Sequence, residues 1–383
     1  MNELSPLERV MQTISGEPVD RLAVYDIIHN VDLIEHLTSD KITPKNAEDL
    51  TCKAVSKVLD LVRHFTVPDN LEPLVYTDED GFVRRKEWWT RDILRRPNKS
   101  VQETRDLMKS DIEKIYRAIE KGEVCPLVTD YLGLIGEDCK TFEEIKVLFK
   151  RIAGKLDGAV MIAPESLPGM YNATNRYGFE LFIYTYYDWP EEALALYNAF
   201  CDYEVAKIHA FADLSLTPIA LLSEAVAYNT GLIFGLEFTK TVQYPAIKKV
   251  IDAWKSHDYK VIFHADGNKW PILDDMIAFG ADVIDPCESL AGMDVAKFRK
   301  LYPDVTIASP IDCQSLLAHG TKEEIAAACW KVIDDCGGMR TLLGSTSEIH
   351  PSISAENATT MYDIFRNYHR MPRPAQYAAA NEK

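Results

Sequence analysis

The chain has 383 residues, with 42 Lys or Arg against 59 Asp or Glu, so its formal net charge is −17 at pH 7. So acidic a surface repels nucleic acid and anionic lipid, and we expect this protein to bind neither. An apolar fraction of 47%, with 10% aromatic residues, is typical of a globular protein with a large core and excludes a disordered chain.

The sequence carries none of the usual signals for a membrane or a secreted protein. No stretch approaches 18 consecutive apolar residues, and residues 1–6 have neither a charged leader nor an apolar core. The eight cysteines are scattered without a CxxC pair, as expected for reduced core thiols. We therefore expect no membrane contact and a cytoplasmic location.

The amino-terminal half predicts a helix at residues 7–16, followed by three strands. The first strand is expected at 22–28, where the run is apolar. The second is expected at 86–90, at the end of a hairpin that turns at 79–81, and the third at 158–163.

The carboxyl-terminal half predicts five strands, each followed by a helix of 3.6-residue periodicity. These strands are expected at 218–224, 260–267, 283–288, 305–312 and 340–348. Their apolar runs are continuous rather than alternating, which indicates burial on both faces and hence a parallel sheet. The sequence thus predicts an α/β fold, a (β/α)8 TIM barrel with additional N-terminal helices. One domain is expected to span 1–383, with a helix in 1–20, the barrel in 21–370 and a tail in 371–383.

In such a barrel the active site lies at the carboxyl ends of the strands. His264 and Asp266 are two residues apart in a strand and so point the same way, which suits a pair of metal ligands or a proton-transfer pair. The alternative is that Asp266 caps the next helix and that His264 is an ordinary polar residue at the rim. The spacing by itself leaves both open. Glu224, at the end of the preceding strand, is the third candidate catalytic residue.

Two further side chains are candidate metal ligands beside His264 and Asp266. Cys287 and Glu288 are adjacent and face opposite sides, and we expect the carboxylate to point into the mouth and the thiol to be buried. His350 either supplies a late ligand or lies out on a loop. The predicted metal set is therefore His264, Asp266, Glu288 and His350.

Candidate substrate-binding residues follow the first and third strands. Asp26 and His29 end the first strand, and the aromatic-rich segment 164–190 supplies Tyr171, Tyr177 and Tyr186. Such a segment lines a pocket for a flat substrate or simply packs its helix. The GxGxxG, P-loop, GxSxG and HExxH motifs are absent, which argues against the common nucleotide-dependent and hydrolase classes.

Several segments together resemble the uroporphyrinogen decarboxylase superfamily, whose fold is a (β/α)8 barrel. They are 7–10 (LERV), 16–21 (GEPVDR), 261–268 (VIFHADGN), 271–275 (PILDD), 292–294 (GMD), 311–312 (ID), 320–324 (GTKEE) and Pro351 with Glu356 and Asn357. Decarboxylases of this superfamily use no metal and bind their substrate through an N-terminal Arg-rich motif, which residues 22–30 lack. The resemblance therefore favours its corrinoid-dependent methyltransferase branch.

Many methyltransferases of that branch hold zinc through a His-x-Cys pair and a later Cys. Here His264 is kept, Asp266 replaces the first Cys, and residues 345–347 contain no Cys. A His with carboxylates suits an oxygen-binding Lewis acid better than a thiol-activating site. The chain thus resembles the methyltransferase I components of anaerobic O-demethylases.

The resemblance implies transfer of a methyl group from a small methoxylated substrate, such as an aromatic methyl ether, to the Co(I) corrinoid of a partner protein. A Zn²⁺ or a general acid would neutralise the ether oxygen, and the decarboxylase relatives suggest a homodimer. The alternative is a metal-independent, decarboxylase-like lyase acting on a non-porphyrin acid. A non-catalytic binding module is disfavoured, because so many ionisable groups end the strands.

Overall fold

The computed structural model describes residues 3–63, 65–128 and 139–371. Within these ranges eight short strands run parallel, and we number them from first to eighth in chain order. They are Tyr25–Asp26, Leu61–Val62, Val160–Met161, Ile219–Ser223, Lys260–His264, Val283–Asp285, Thr306–Ala308 and Thr341–Leu342.

The parallel strands form two sheets whose order follows the sequence. The first three make one sheet and the last five make the other. Isolated parallel bridges join the two sheets at both ends, between Val24 and Leu343 and between Ser166 and Leu222. At the first junction the backbone N–H of Tyr25 donates to the carbonyl of Leu343 at 2.8 Å. The predicted α/β class with parallel strands is confirmed.

Helices connect these strands and cover their outer faces. The α-helices are Pro6–Ser15, Val31–Thr38, Ala47–Val58, Val101–Lys121, Phe142–Ala153, Met170–Tyr177, Phe179–Asp188, Pro190–Phe211, Leu236–Phe238, Tyr244–Lys255, Leu273–Phe279, Val295–Leu301, Leu316–His319, Lys322–Asp335 and Ala355–Asn367. A π-helical segment, Thr239–Gln243, precedes one of them, and two 3-10 turns lie at Trp270–Ile272 and Ser289–Ala291. Among the described residues, no helix has both the length and the apolar character needed to cross a membrane.

The amino-terminal helix Pro6–Ser15 closes one end of the strand array. Ser5 and Glu8 form a reciprocal capping box at its start. Its apolar residues Val10 and Ile14 pack in a small, separate core to which every one of the eight parallel strands contributes a buried side chain, such as Tyr25, Leu221 or Ile262. The helix thus covers the inner faces of the strands.

A buried charge network fastens this helix to the first two strands. Asp60, which lies just before the second strand, accepts from Arg9 at 2.6 Å and from Arg21 at 2.5 and 2.9 Å. Arg9 also donates to Asp20 at 2.8 Å, and the Asp60 carboxylate accepts from the backbone N–H of Val24. The amino-terminal segments 7–10 and 16–21 therefore supply structural ion pairs.

The predicted second strand at 86–90 is wrong. The strand that pairs with both the first and the third is Leu61–Val62. It follows the helix Ala47–Val58 after two residues and is only two residues long, so its apolar side chains continue the helical pattern and give no signal of their own. Residues 86–90 instead end one strand of an antiparallel sheet and begin the turn after it. That sheet consists of Leu74–Thr77, Val83–Lys86 and Arg91–Arg95.

Candidate functional site

The candidate site centres on His264, the last residue of the fifth strand, which is 6% exposed. In the parallel ladder His264 lies beside Asp285, the last residue of the sixth strand. Its Nδ1 is 2.6 Å from an Asp285 carboxylate oxygen. Its Nε2 lies 3.5 Å from an oxygen of Asp266, whose side chain is 70% exposed. The imidazole therefore bridges a buried carboxylate and a solvent-facing one.

The two carboxylates keep the His264 ring protonated. Burial and the charge of Arg63 both oppose protonation, but Asp285 and Asp266 outweigh them and raise the pKa of His264 to about 9. The pKa of Asp285 is lowered, because the His264 charge overcomes the desolvation of that carboxylate. At neutral pH the site thus holds an imidazolium with two oriented N–H groups, which is a candidate proton donor.

Arg63, which follows the second strand, lies against the same ring. Its Nη1 is 3.0 Å from Nδ1 and 3.1 Å from Nε2 of His264, and its Nη2 donates to Glu165 at 2.8 Å. Since the two ring nitrogens flank a single carbon, such nearly equal distances place the guanidinium over the ring face rather than on the line of either N–H. The Arg63 Nε is buried and has no hydrogen-bond partner among the residues that the structure describes, so it is a donor that a bound ligand can satisfy.

Glu288, predicted as the inward carboxylate, lies beside this cluster. It accepts a hydrogen bond from the backbone N–H of Gly267, and burial raises its pKa. Cys287 is buried, as expected, and burial raises the pKa of its thiol to about 12. The buried Lys269, which sequence reasoning missed, donates to the carbonyl of Pro286 at 2.7 Å. Glu288 thus stays close to Asp266, while the carboxylate bonded to His264 is that of Asp285.

The Glu224 carboxylate is hydrogen-bonded at the start of a helix. It accepts from the backbone N–H groups of Met170 and Tyr171, at the start of the helix Met170–Tyr177, and from the Tyr197 hydroxyl. Burial raises the pKa of Glu224 to about 7, although these hydrogen bonds act in the opposite direction. In this arrangement Glu224 caps a helix that borders the site.

Asp26 and His350 are likewise occupied outside the His264 cluster. Asp26 accepts from Ser345 at 2.7 Å and from the Tyr362 hydroxyl at 3.1 Å, and burial raises its pKa to about 7. His350 has its Nε2 3.2 Å from the carbonyl of Cys313. Asp26 therefore links the first strand to the segment after the eighth, and His350 lies on a loop apart from the other predicted metal ligands.

The predicted aromatic residues separate into different places. The buried Tyr177 donates its hydroxyl to Asp111 at 2.7 Å, and Tyr186 packs edge-on against Phe238. Tyr171 contributes the backbone N–H that Glu224 accepts. The aromatic side chains that lie beside His29 come instead from the turn between the antiparallel strands Val83–Lys86 and Arg91–Arg95.

Two tryptophans of that turn contact His29. The ring centroids of Trp88 and Trp89 lie 6.1 and 5.9 Å from that of His29, which is 7% exposed. Both tryptophans lie in the stretch 86–90 that was expected to form the second strand. His29 and the two tryptophans thus form an aromatic wall at the carboxyl ends of the strands.

The predicted zinc ligands do not form a metal site in this arrangement. Within residues 3–63, 65–128 and 139–371 there is no group of three or more His, Cys, Asp or Glu side chains placed to hold a metal ion. The Arg63 guanidinium lies about 3 Å from both nitrogens of His264, where a second cation would be repelled. The Nε2 of His350 contacts the backbone carbonyl of Cys313, so this side chain does not join the other three predicted ligands. The donors that the structure describes therefore do not fit zinc.

We expect protein purified without chelator to hold clearly less than one zinc per chain, measured by inductively coupled plasma mass spectrometry. The physical reason is repulsion of the metal ion by the Arg63 charge. Arg63→Met is therefore expected to bind added zinc more tightly than wild type. The double variant of Arg63→Met with His264→Ala is expected to lose this increase in zinc affinity. A full equivalent of zinc in wild type that disappears in His264→Ala would contradict this expectation and support the predicted ligand set.

Comparison with known proteins identifies the class. The family model described as uroporphyrinogen decarboxylase (URO-D) matches residues 143–368, more than half of the chain. The chain therefore belongs to the uroporphyrinogen decarboxylase family, as its sequence motifs indicated.

Two relatives of the chain are named as methyltransferases. It is 28% identical over 229 residues to the methylcobamide:CoM methyltransferase MtbA of Methanosarcina acetivorans. The matched region covers 59% of this chain and 62% of that relative. The chain is 26% identical over 238 residues to the MtbA of Methanosarcina mazei, which covers 62% and 65%. Each match thus spans slightly less than two thirds of the relative's own length. The predicted resemblance to the corrinoid methyltransferase branch is confirmed.

A solved structure is similar to this chain in its fold. A methyltransferase from Methanosarcina mazei superposes with a TM-score of 0.65 at 14% identity, covering 96% of this chain and 100% of that one. At this identity the likeness concerns the fold.

Proposed function

We propose that this protein is a corrinoid-dependent methyltransferase that moves a methyl group from a small methoxylated substrate, an aromatic methyl ether, to the corrinoid of a partner protein. The observation that carries the proposal is the position of His264 between Asp285 and Asp266 at the strand ends, and these two carboxylates raise the pKa of its imidazole to about 9. Methyl transfer with a cobamide is what the names of the two MtbA relatives state for those proteins.

In the proposed reaction the Co(I) corrinoid, delivered as a second substrate, supplies the nucleophile that takes the methyl group. The bond between the methyl carbon and the ether oxygen breaks, and the oxygen leaves with the electron pair. His264 donates the proton that converts this oxygen to a phenol. A phenol has a pKa of about 10, as in tyrosine, so a donor with a pKa of about 9 is closely matched to it.

The remaining residues of the cluster act on orientation and binding. Asp285 fixes the His264 ring through Nδ1, and Nε2 lies towards the solvent-exposed Asp266. The Nε of Arg63, which has no partner within the described part of the chain, would donate to a polar group of the substrate. Trp88 and Trp89, beside His29, supply flat apolar surface for an aromatic ring. The zinc that the resemblance implies enters none of these steps.

We also infer that the two parallel sheets form one closed (β/α)8 barrel and that 1–383 is one domain. Bridges join the sheets at both ends, and the small inner core draws on all eight strands. The barrel places the His264 cluster at the face where barrel enzymes carry their active sites.

A second candidate is the decarboxylase-like lyase acting on a non-porphyrin acid. The observation that favours it is Arg63 next to the protonated His264, because a guanidinium binds a carboxylate and an imidazolium can protonate the carbanion that forms when CO₂ leaves. Such a lyase would need no corrinoid.

One assay separates the two candidates. The protein is mixed with free cob(I)alamin and a panel of methoxylated aromatic compounds, and formation of methylcobalamin and of the free phenol is followed. We expect methylcobalamin and the free phenol in equal amounts. The formation of both is expected to be strongly reduced in His264→Gln. CO₂ release from a carboxylated aromatic, without methylcobalamin from any ether, would overturn the methyltransferase and leave the lyase.

A further inference from the structure

Lys269 is a buried cation for which the proposed reaction has no use. It is 0% exposed, and within the described residues its ammonium hydrogen-bonds only to two backbone carbonyls, those of Pro286 at 2.7 Å and of Gly267 at 3.3 Å. Burial lowers the pKa of Lys269, because desolvation disfavours the charged form. A buried charge that is held by carbonyls alone costs folding free energy, and such groups are concentrated at functional sites.

The two carbonyls belong to loops that follow neighbouring parallel strands. Gly267 comes three residues after His264, the end of the fifth strand, and Pro286 directly follows the sixth strand. Between the same loops, the backbone N–H of Gly267 donates to the Glu288 carboxylate. The two loops are therefore joined twice, once through the Lys269 ammonium and once through Glu288.

The hairpin 227–232, which follows the fourth strand, contacts the first of these loops. The backbone N–H of Asn268 donates to the carbonyl of Tyr228 at 2.9 Å. Gly267 has a φ of 85°, and a Cβ atom there would lie 2.3 Å from the Tyr228 backbone, so only glycine fits this close approach. Residues 266–268 are thus held between the hairpin and the loop after the sixth strand.

The Asp266 side chain depends on this loop for its place beside His264. It is 70% exposed and so has little packing of its own, and one of its oxygens is nevertheless 3.5 Å from Nε2 of His264. A short side chain on a backbone fixed at Gly267 and Asn268 has only a few staggered positions to choose from. Lys269 supplies the hydrogen bond to the Gly267 carbonyl and so helps to fix that backbone.

The charge of Lys269 supports the same arrangement. Asp266, Asp285 and Glu288 all favour its charged form. Burial and the charge of Asp266 raise the pKa of Glu288, whereas the charge of Lys269 lowers it. The ammonium therefore offsets the repulsion between the carboxylates that are gathered near His264.

We propose that Lys269 is a positioning residue of the candidate site, which fixes the loop that carries Asp266 and so keeps this carboxylate beside Nε2 of His264. The inference rests on the proposed function, because it takes His264 as the group that donates the proton. The other charged groups that face His264 are Asp285 and Arg63, and neither is hydrogen-bonded to Lys269. Loss of the ammonium is therefore expected to change the contact with Asp266 and to leave the other two in place.

Lys269→Met removes the ammonium and keeps an unbranched apolar side chain in its space. Asp285 and Asp266 raise the pKa of His264 to about 9 against the effects of burial and of Arg63. A weaker Asp266 contact is therefore expected to move the alkaline limb of the pH–rate profile to lower pH by about one unit. With an aromatic methyl ether and free cob(I)alamin, kcat is then expected to fall about fivefold at pH 9 and to change by less than about twofold at pH 7. A variant that is merely less stable would lose activity by the same factor at both pH values.

Lys255→Met is the matched control. Lys255 pairs with Asp282, which lies just before the sixth strand, and its loss is expected to leave the profile unchanged. Asp266→Asn is expected to shift the limb on its own, and Lys269→Met is expected to add nothing in that background, because both substitutions act on one contact. A limb at the wild-type position in Lys269→Met, or shifts that add in the double variant, would overturn the assignment. Lys269→Gln replaces Lys269→Met in these measurements if circular dichroism shows that the latter is not folded.

Titration of the His264 ring by NMR, recorded without substrate or corrinoid, separates this inference from the proposed function. A ring pKa that Lys269→Met lowers in the wild-type background and not in Asp266→Asn, together with no methyl transfer by wild type, would support the positioning role and contradict the methyltransferase. Methyl transfer by wild type, together with equal ring pKa values in wild type and Lys269→Met, would do the reverse.

Discussion

Replacing His264 by glutamine is expected to lower kcat for methyl transfer by about 10²- to 10⁴-fold, the usual contribution of a positioned general acid. The glutamine keeps a polar group in the space of the ring but has no proton to release. Because the pKa of His264 is about 9, the wild-type rate is expected to be constant through neutral pH and to fall as the pH rises past about 9, where the proton donor is lost. The measurement is a pH–rate profile with an aromatic methyl ether and free cob(I)alamin.

Asp285→Asn is the matched control for this assignment. It keeps the shape of the side chain beside Nδ1 and removes the charge that raises the pKa of His264. Loss of an opposite charge at this distance is expected to move the alkaline limb of the profile to lower pH by about one to three units. A limb that stays in place in Asp285→Asn, or a His264→Gln enzyme with wild-type turnover, would contradict His264 as the proton donor.

Asp60→Asn is expected to lower the free energy of unfolding by about 3–5 kcal/mol, because it leaves two buried guanidinium groups with one charge partner fewer. Arg9 and Arg21 are 3% and 7% exposed, and both donate to Asp60 at the junction of the amino-terminal helix with the first two strands. Arg9 keeps Asp20 in the variant, whereas Arg21 has no other carboxylate among its hydrogen bonds in the described residues. The measurement is equilibrium unfolding in urea, monitored by circular dichroism.

Asp252→Asn provides the comparison for an exposed pair. Asp252 contacts Lys248 within the helix Tyr244–Lys255, and both side chains are about half exposed, so its loss is expected to cost less than about 1 kcal/mol. Equal costs for the two substitutions would mean that the buried network contributes no more than a surface ion pair. Asp60 lies before its strand, at the edge opposite His264, so kcat of the folded Asp60→Asn enzyme is expected to match that of wild type.

The sequence was most informative where structure depends on neighbours along the chain. Continuous apolar runs followed by amphipathic helices located seven of the eight parallel strands, and the fifth strand ends at His264. The acidic residue beside it, Asp266, was also found, although the strand ends at His264 and Asp266 follows outside the ladder. Glu288 was expected as the next carboxylate, but the strand ladder ends at Asp285, and an apolar run does not show where the ladder stops.

The second strand shows why the remaining residues were missed. Two residues directly after a helix produce no periodicity of their own, so the sequence placed this strand some 25 residues too late and left Arg63 at its end without a role. Likewise, Tyr177 and Tyr186 belong to an aromatic-rich segment, yet the packing of their helix directs one to Asp111 and the other to Phe238. Composition indicates how many aromatic side chains a segment has, and packing decides where they point.

The sequence by itself determined the α/β class, the order of the strands in the carboxyl-terminal half, the family and His264 with Asp266, because each of these follows from local pattern or from motifs in order along the chain. Only the tertiary structure decided which groups surround His264. Arg63 meets it across 201 positions of sequence and Asp285 across 21. The charge of that imidazole, on which the proposed proton donation rests, depends on these distances and on burial, neither of which any local pattern contains.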